Sequence, residues 1–134
     1  MMPTRESRTL TIGIERDAAA VYAFASQPQN LPLWAAGLGS DVARDGDGWV
    51  VDAPLGRLRL RFAPINDYGV LDHAVTLLDG SEVDVPMRVV RNGTGAEVLF
   101  TLFRQPAMTA EDFKRDAGLV AADLATLKRL LEAR

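Results

Sequence analysis

The feature of this sequence that most constrains its fold is a long helical pattern with one apolar face near the C-terminus, at residues 110–132. Its apolar residues recur at alternating spacings of four and three, which places them on one side of a helix; they are Phe113, Ala117, Val120, Leu124, Leu127 and Leu131. At 1.5 Å per residue, such a helix extends roughly 34 Å. A helix of this length needs a flat apolar surface to cover its buried face, and only a sheet formed by the preceding residues can provide one.

The ends of this helix also carry their expected signals. Thr109 is a good N-cap, and Asp112 stands three residues later, at the position required for a capping box. Acidic Glu111 suits the positive end of the helix dipole, whereas Lys128 and Arg129 suit the negative end.

The chain before this helix begins with one strand and two short helical segments. Residues 8–16 alternate between apolar and polar side chains, which predicts a strand. Asp17 is placed to cap the short helix that follows. Pro28 and Pro32 break that helix and predict a second short turn ending near Trp34.

Turn signals divide the middle of the chain into further strands. Gly37 and Gly39 lead into the first of them, and Asp-Gly or Asn-Gly pairs predict turns at 45–48, 79–80 and 92–95. The predicted strands are 40–44, 49–53, 57–63, 70–78, 82–91 and 96–104.

The hairpin around residues 79–80 has two alternative registers. A two-residue turn would place His73 on one face with Asp84 and Pro86, whereas a longer or bulged turn would place it with the apolar residues. Register follows the apolar pattern wherever one face is buried. We therefore expect the bulged form, which collects on one side Leu71, Val75, Leu77, Val83, Val85, Met87 and Val89.

Charged residues near this hairpin and in the preceding strand are expected to face solvent. Arg57, Arg59 and Arg61 alternate with apolar residues, as in a half-buried strand with an exposed arginine face. Salt bridges across the sheet surface account for the remaining charges there; they are Asp72, Glu82, Asp84 and Arg88.

Composition excludes several classes of function. At 134 residues we expect one domain over 1–134, with residues 1–7 disordered. The net charge of −3 argues against a nucleic-acid partner, and the lack of cysteine excludes disulfides, thiolate metal sites and a cysteine nucleophile. No metal or cofactor motif occurs. We expect no signal peptide and no membrane insertion, hence a cytoplasmic location.

Two segments carry a resemblance to a known family: RTLTIGIERDAAAVYAFASQPQNLPLWAAG at 8–37 and DFKRDAGLVAADLATLKRLLE at 112–132. The chain resembles the SRPBCC superfamily, which includes START domains, Bet v 1-like proteins and polyketide cyclase/dehydrase-like proteins. The resemblance implies an α+β helix-grip fold, in which a curved antiparallel sheet of about seven strands wraps around the C-terminal helix and encloses an apolar cavity. Family members bind lipids, sterols, polyketides or other hydrophobic molecules, and some are enzymes. The chain is short for this superfamily, so we expect a small cavity.

Several residues are candidates for contact with a bound molecule. His73 is the only histidine and therefore the natural acid or base, and the alternative is a histidine hydrogen-bonded within the core or lying at a sheet edge. Trp34 could stack on a flat ligand and donate one N–H, or plug one end of the core. Aromatic and methionine side chains would line either a cavity or a plain core; they are Tyr22, Phe62, Met87, Phe100 and Phe113.

Three functions are compatible with these residues. The first is binding or carriage of a small hydrophobic molecule between the sheet and the C-terminal helix. The second is an enzyme of the polyketide cyclase or dehydratase type with His73 as acid or base. The third is a protein-interaction module whose cavity is filled by side chains. Leu99 and Phe103 put apolar residues on the second face of their strand, which would fit a homodimer formed through the sheet.

Overall fold

A computed structural model describes residues 3–35, 41–54 and 56–134. It is an α+β structure in which antiparallel strands carry the long C-terminal helix. The elements in chain order are β1 (Ser7–Ile14), α1 (Ala18–Ala25), α2 (Leu31–Trp34), β2 (Val42–Asp45), β3 (Gly48–Ala53), β4 (Gly56–Phe62), β5 (His73–Thr76), β6 (Glu82–Val85), β7 (Met87–Asn92), β8 (Gly95–Phe103) and α3 (Ala110–Glu132). The predicted role of Gly37 and Gly39 lies outside the described residues.

The strands form one three-stranded sheet in the order β1-β8-β7 and one five-stranded sheet in the order β2-β3-β4-β5-β6. The chain passes from one sheet to the other at Pro86, between β6 and β7. The predicted single strand 82–91 is therefore two strands, which makes eight strands in the described part of the chain instead of about seven. Proline has no N–H to donate to a strand ladder, and the Pro86 carbonyl accepts from the Thr101 backbone N–H of β8 (2.9 Å).

The predicted register of the β5–β6 hairpin is confirmed. His73 lies opposite Val85 and Val75 opposite Val83, and residues 77–81 connect the two strands. Leu71 N–H donates to the Met87 carbonyl (2.9 Å), so the same register continues beyond Pro86. Leu77 is the exception to the predicted apolar face: it is 36% exposed because it already belongs to the connection.

The first short helix begins, and the second ends, where the sequence predicts. The Asp17 carboxylate accepts from the Ala20 backbone N–H (3.2 Å) and caps α1. Pro28 begins a single 3₁₀ turn that leads into α2, which ends at Trp34 as predicted. This path brings the Trp34 side chain into the core.

The C-terminal helix begins and ends at the predicted residues, and its capping box is formed by Thr109 and Asp112. Its last turns are held against the end of β1 by hydrogen bonds. Lys128 Nζ donates to the Gly13 carbonyl (2.6 Å), and Arg16 donates to the Leu131 carbonyl (3.0 Å). The C-terminal half of α3 is thereby anchored to β1.

The arginine face of β4 is exposed, as predicted, and its charges are paired. Arg57 bridges to Asp52 (3.2 Å), Arg61 bridges to Glu82 (3.4 Å), and Arg59 pairs with Asp45. These contacts cross strands on the solvent side of the sheet. Within the described residues, no helix combines the length and apolar character needed to cross a membrane.

Candidate functional site

The site is a cavity of about 220 Å³ between the sheet and α3. Both sheets and all of the named helices contribute to its wall, and most of the wall is apolar. The lining residues are Ala25, Leu31, Trp34, Ala35, Phe62, Leu71, His73, Val75, Val85, Met87, Phe100, Leu102, Asp116, Leu119, Val120, Asp123 and Leu124.

Five of the seven predicted contact residues line this cavity: Trp34, Phe62, His73, Met87 and Phe100. The structure does not bring the other two there. Tyr22 lies on the side of α1 that meets the β4–β5 connection, where its hydroxyl accepts from the Asn66 backbone N–H (2.9 Å). Phe113 is buried in the first turn of α3 without reaching the cavity wall.

His73 lines the cavity in a form suited to accept a proton or a hydrogen bond. Its Nδ1 lies 3.1 Å from the Leu71 carbonyl oxygen. A carbonyl only accepts, so Nδ1 carries the proton and the neutral ring has its lone pair on Nε2. Burial lowers the pKa of His73, and the Leu71 hydrogen bond and the Asp72 charge oppose this only in part. The ring is therefore neutral near pH 7, and its role as acid or base stays a prediction.

Two aromatic rings fix the orientation of the His73 ring. The Phe62 centroid lies 5.1 Å from it in a tilted arrangement, and the Phe100 centroid lies 6.0 Å away in an edge-on arrangement. Phe62 comes from β4 of the five-stranded sheet and Phe100 from β8 of the three-stranded sheet, so the imidazole is held between the two sheets.

Trp34 also lines the cavity and carries a hydrogen-bond donor, its indole N–H. The residue is only 5% exposed, and its indole Nε1 has no hydrogen-bond partner among the described residues. A buried donor without an acceptor costs about 1–3 kcal/mol relative to one that is bonded. A ligand atom that accepts a hydrogen bond here would remove that cost.

Among the cavity residues that the sequence did not predict, two are polar, Asp116 and Asp123 of α3. Burial raises the pKa of Asp123 to about 6 and also raises the pKa of Asp116, against the opposing charge of Arg115. The part of the chain that the structure describes offers neither carboxylate an ion pair. The sequence did hold one indication that these aspartates lie near the cavity. Each directly precedes a residue of the apolar face of α3, Ala117 or Leu124.

The acids of the β5–β6 hairpin do not share this environment. Asp72 pairs with Arg88 and also accepts from the Met87 backbone N–H (2.9 Å), while Asp84 is exposed. The predicted salt bridging on the solvent side is confirmed for Asp72. Across residues 3–35, 41–54 and 56–134, no group of three or more histidine, aspartate or glutamate side chains could hold a metal ion.

Comparison with known proteins identifies the fold. No family model matches the sequence, and no curated protein matches it. An uncharacterized protein from Bacillus thuringiensis superposes with a TM-score of 0.75 at 14% identity, covering 94% of this chain and 98% of the other. The Aha1 dimer from Colwellia psychrerythraea superposes with a TM-score of 0.72 at 17% identity, covering 95% of this chain and 96% of the other. Ara h 8.0201 gives 0.66 at 7% identity, covering 96% and 99%.

At these identities the likeness concerns the fold alone. The superpositions with Ara h 8.0201 and with the Aha1 dimer are both consistent with a helix-grip arrangement. The helix-grip fold expected from the sequence is thus present in this chain.

Proposed function

We propose that this protein is a member of the SRPBCC superfamily that binds a small hydrophobic molecule in the cavity between the sheet and α3. The observation that carries the proposal is the cavity itself, with about 220 Å³ of space and a mostly apolar lining. Ligand sites typically combine an apolar wall with a few polar groups that orient the ligand. Here those groups are Trp34, His73, Asp116 and Asp123.

The size of the cavity limits the ligand to about one ring. A dry engineered cavity of about 150 Å³ holds benzene, and pockets for drug-sized ligands measure about 300–1,000 Å³. This cavity lies between the two. Its volume also weighs against the alternative in which side chains fill the space. The predicted homodimer and cytoplasmic location stay predictions from the sequence.

Native mass spectrometry of protein purified from cells tests binding, with a cavity-blocking variant as the comparison. Val120 is half-buried and lines the cavity, so a Val120→Trp substitution places an indole in the space that the ligand would occupy. We expect a bound small molecule on the wild type and its loss from this variant. Ala121→Trp adds the same ring at an exposed position of α3 and should keep the ligand.

Two results of this experiment would argue against binding in the cavity. A ligand that remains on Val120→Trp is bound elsewhere. Wild-type protein that carries no small molecule and binds no apolar probe would refute the proposed function.

Catalysis is the second candidate, and the position of His73 favours it. A neutral imidazole in the wall of an apolar cavity can remove a proton from a bound molecule. For any molecule that the protein converts, His73→Ala should reduce turnover by about 100-fold or more. Measured steady-state rates at the wild-type level in this variant would exclude His73 as the base.

A further inference from the structure

The two carboxylates of the cavity lie on one face of α3. Asp116 and Asp123 are two helical turns apart, or roughly 10 Å along the axis. Leu119 lies between them, also lines the cavity, and is 54% exposed. Asp116 and Asp123 are themselves half-buried, so this part of α3 forms the rim where the cavity meets solvent. We call Asp116 and Asp123 the rim carboxylates.

The polar lining is rich in acceptors and lacks positive charge. Among the described residues, no lysine or arginine lines the cavity. His73 is neutral and holds its free lone pair on Nε2, so it adds an acceptor. Trp34 is the one tryptophan in this wall, and its indole N–H donor has no hydrogen-bond partner among those residues. An anionic ligand would meet two negative charges, and the only cation of the described residues that acts on them, Arg115 beside Asp116, does not line the cavity. A cationic ligand would be paired.

We propose that the ligand is a small amphiphilic amine, with its ring in the apolar interior, its protonated nitrogen against the rim carboxylates and an acceptor atom for Trp34 Nε1. This inference rests on the proposed function and specifies the chemical class of the ligand. The unpartnered indole and the unpaired carboxylates are independent observations, and one molecule with a donor and an acceptor at opposite ends would satisfy both.

The energetics of Asp123 support this assignment. Burial is the cause of its raised pKa, with no compensating cation. A half-buried, unpaired carboxylate is unfavourable, and an apolar residue would pack better at that position. An ammonium group within about 4 Å favours the ionised carboxylate and so returns its pKa toward the ordinary range.

Isothermal titration calorimetry with three matched probes tests the class of ligand. The probes are 4-methoxybenzylamine, 4-methoxybenzyl alcohol and 4-methoxybenzoate, which share a ring and an ether oxygen and differ in charge. Near neutral pH we expect the amine to bind at least about tenfold more tightly than the alcohol. The benzoate should bind most weakly.

Substitution of one rim carboxylate tests whether the tighter binding of the amine depends on that residue. Asp123→Asn should weaken binding of the amine by about tenfold and leave the alcohol unchanged. Glu111→Gln removes the same charge from an exposed position of α3 and should change neither. Thermal unfolding followed by circular dichroism checks that both variants fold. Asp116→Asn provides a second variant, in which binding of the amine should also weaken while binding of the alcohol stays unchanged.

The pH dependence gives an independent readout. The titratable groups that line the cavity are Asp116, Asp123 and His73. Because the pKa of Asp123 is about 6, the carboxylate becomes neutral as the pH falls through that value. Affinity for the amine should fall over the same range, and the fall should be smaller in Asp123→Asn.

The outcomes separate this inference from the proposed function. If the alcohol or the benzoate binds wild-type protein as tightly as the amine, the amine class is wrong and the hydrophobic cavity remains a binding site. If no probe binds and purified protein carries no ligand, the proposed function fails and this inference fails with it.

Discussion

Replacing Gly69 with alanine is expected to lower the free energy of unfolding by about 3 kcal/mol or more. Gly69 has φ +72°, a left-handed conformation that costs other residues about 1–2 kcal/mol. Its carbonyl accepts from the Val89 backbone N–H (2.9 Å). A Cβ at this position would overlap the carbonyl oxygen of Val89, a backbone atom that cannot rotate away. The substitution must therefore separate the segment before β5 from β7.

Gly80→Ala is the matched control for this prediction. Gly80 also has a left-handed conformation (φ +86°), but an added Cβ there would meet no atom within 4 Å. The control should therefore lose only about 1 kcal/mol. Urea denaturation of both variants measures the difference, and equal losses would contradict the proposed overlap with Val89.

The position of Gly69 connects this prediction to the cavity. The segment that it begins leads directly to Leu71 and His73, which line the cavity wall. Leu71 N–H bonds to the Met87 carbonyl two residues after the Gly69–Val89 contact. A separation at Gly69 should therefore also weaken ligand binding, because it moves the strand that presents His73.

Truncation of Leu127 to alanine is expected to cost about 3 kcal/mol of unfolding free energy. Leu127 has no exposed surface and belongs to the apolar core beneath α3. Removal of its branched end leaves an empty space that the anchored helix cannot close. The next residue, Lys128, is bonded to the Gly13 carbonyl of β1.

Leu119→Ala is the control for the core truncation. It makes the same chemical change on the same helix, so the difference in helix propensity is identical. Leu119 is 54% exposed and should lose less than about 1 kcal/mol. The midpoints of urea unfolding give both values. Similar losses would mean that α3 is not docked through the face that carries Leu127.

The local sequence pattern was sufficient to predict the helices and strands and much of the strand pairing. The capping box at Thr109 and Asp112 set the start of α3, because these contacts involve only neighbouring residues. The register of the β5–β6 hairpin followed from its apolar face. The break at Pro86 was available in the sequence, since proline interrupts a ladder, but the change of partner strand depended on Thr101 from β8.

The composition of the cavity wall was predicted only in part. Trp34, Phe62, His73, Met87 and Phe100 were identified because large apolar side chains and a lone histidine suit a cavity. Tyr22 has the same character but faces Asn66, since the orientation of α1 is set by its packing. An isolated aspartate beside an apolar stripe is indistinguishable from a surface residue until the neighbouring strands and helices are in place.

The sequence by itself determined the order of the elements and the apolar face of α3, and its resemblance to a known family implied the helix-grip arrangement. The first two properties arise from periodicity, capping and turn chemistry, which act over a few residues. Only the tertiary structure decided that a space of about 220 Å³ remains under α3 and that Asp116 and Asp123 lie at its rim. Both depend on distances between segments far apart in the chain, and those distances follow from how whole side chains pack together.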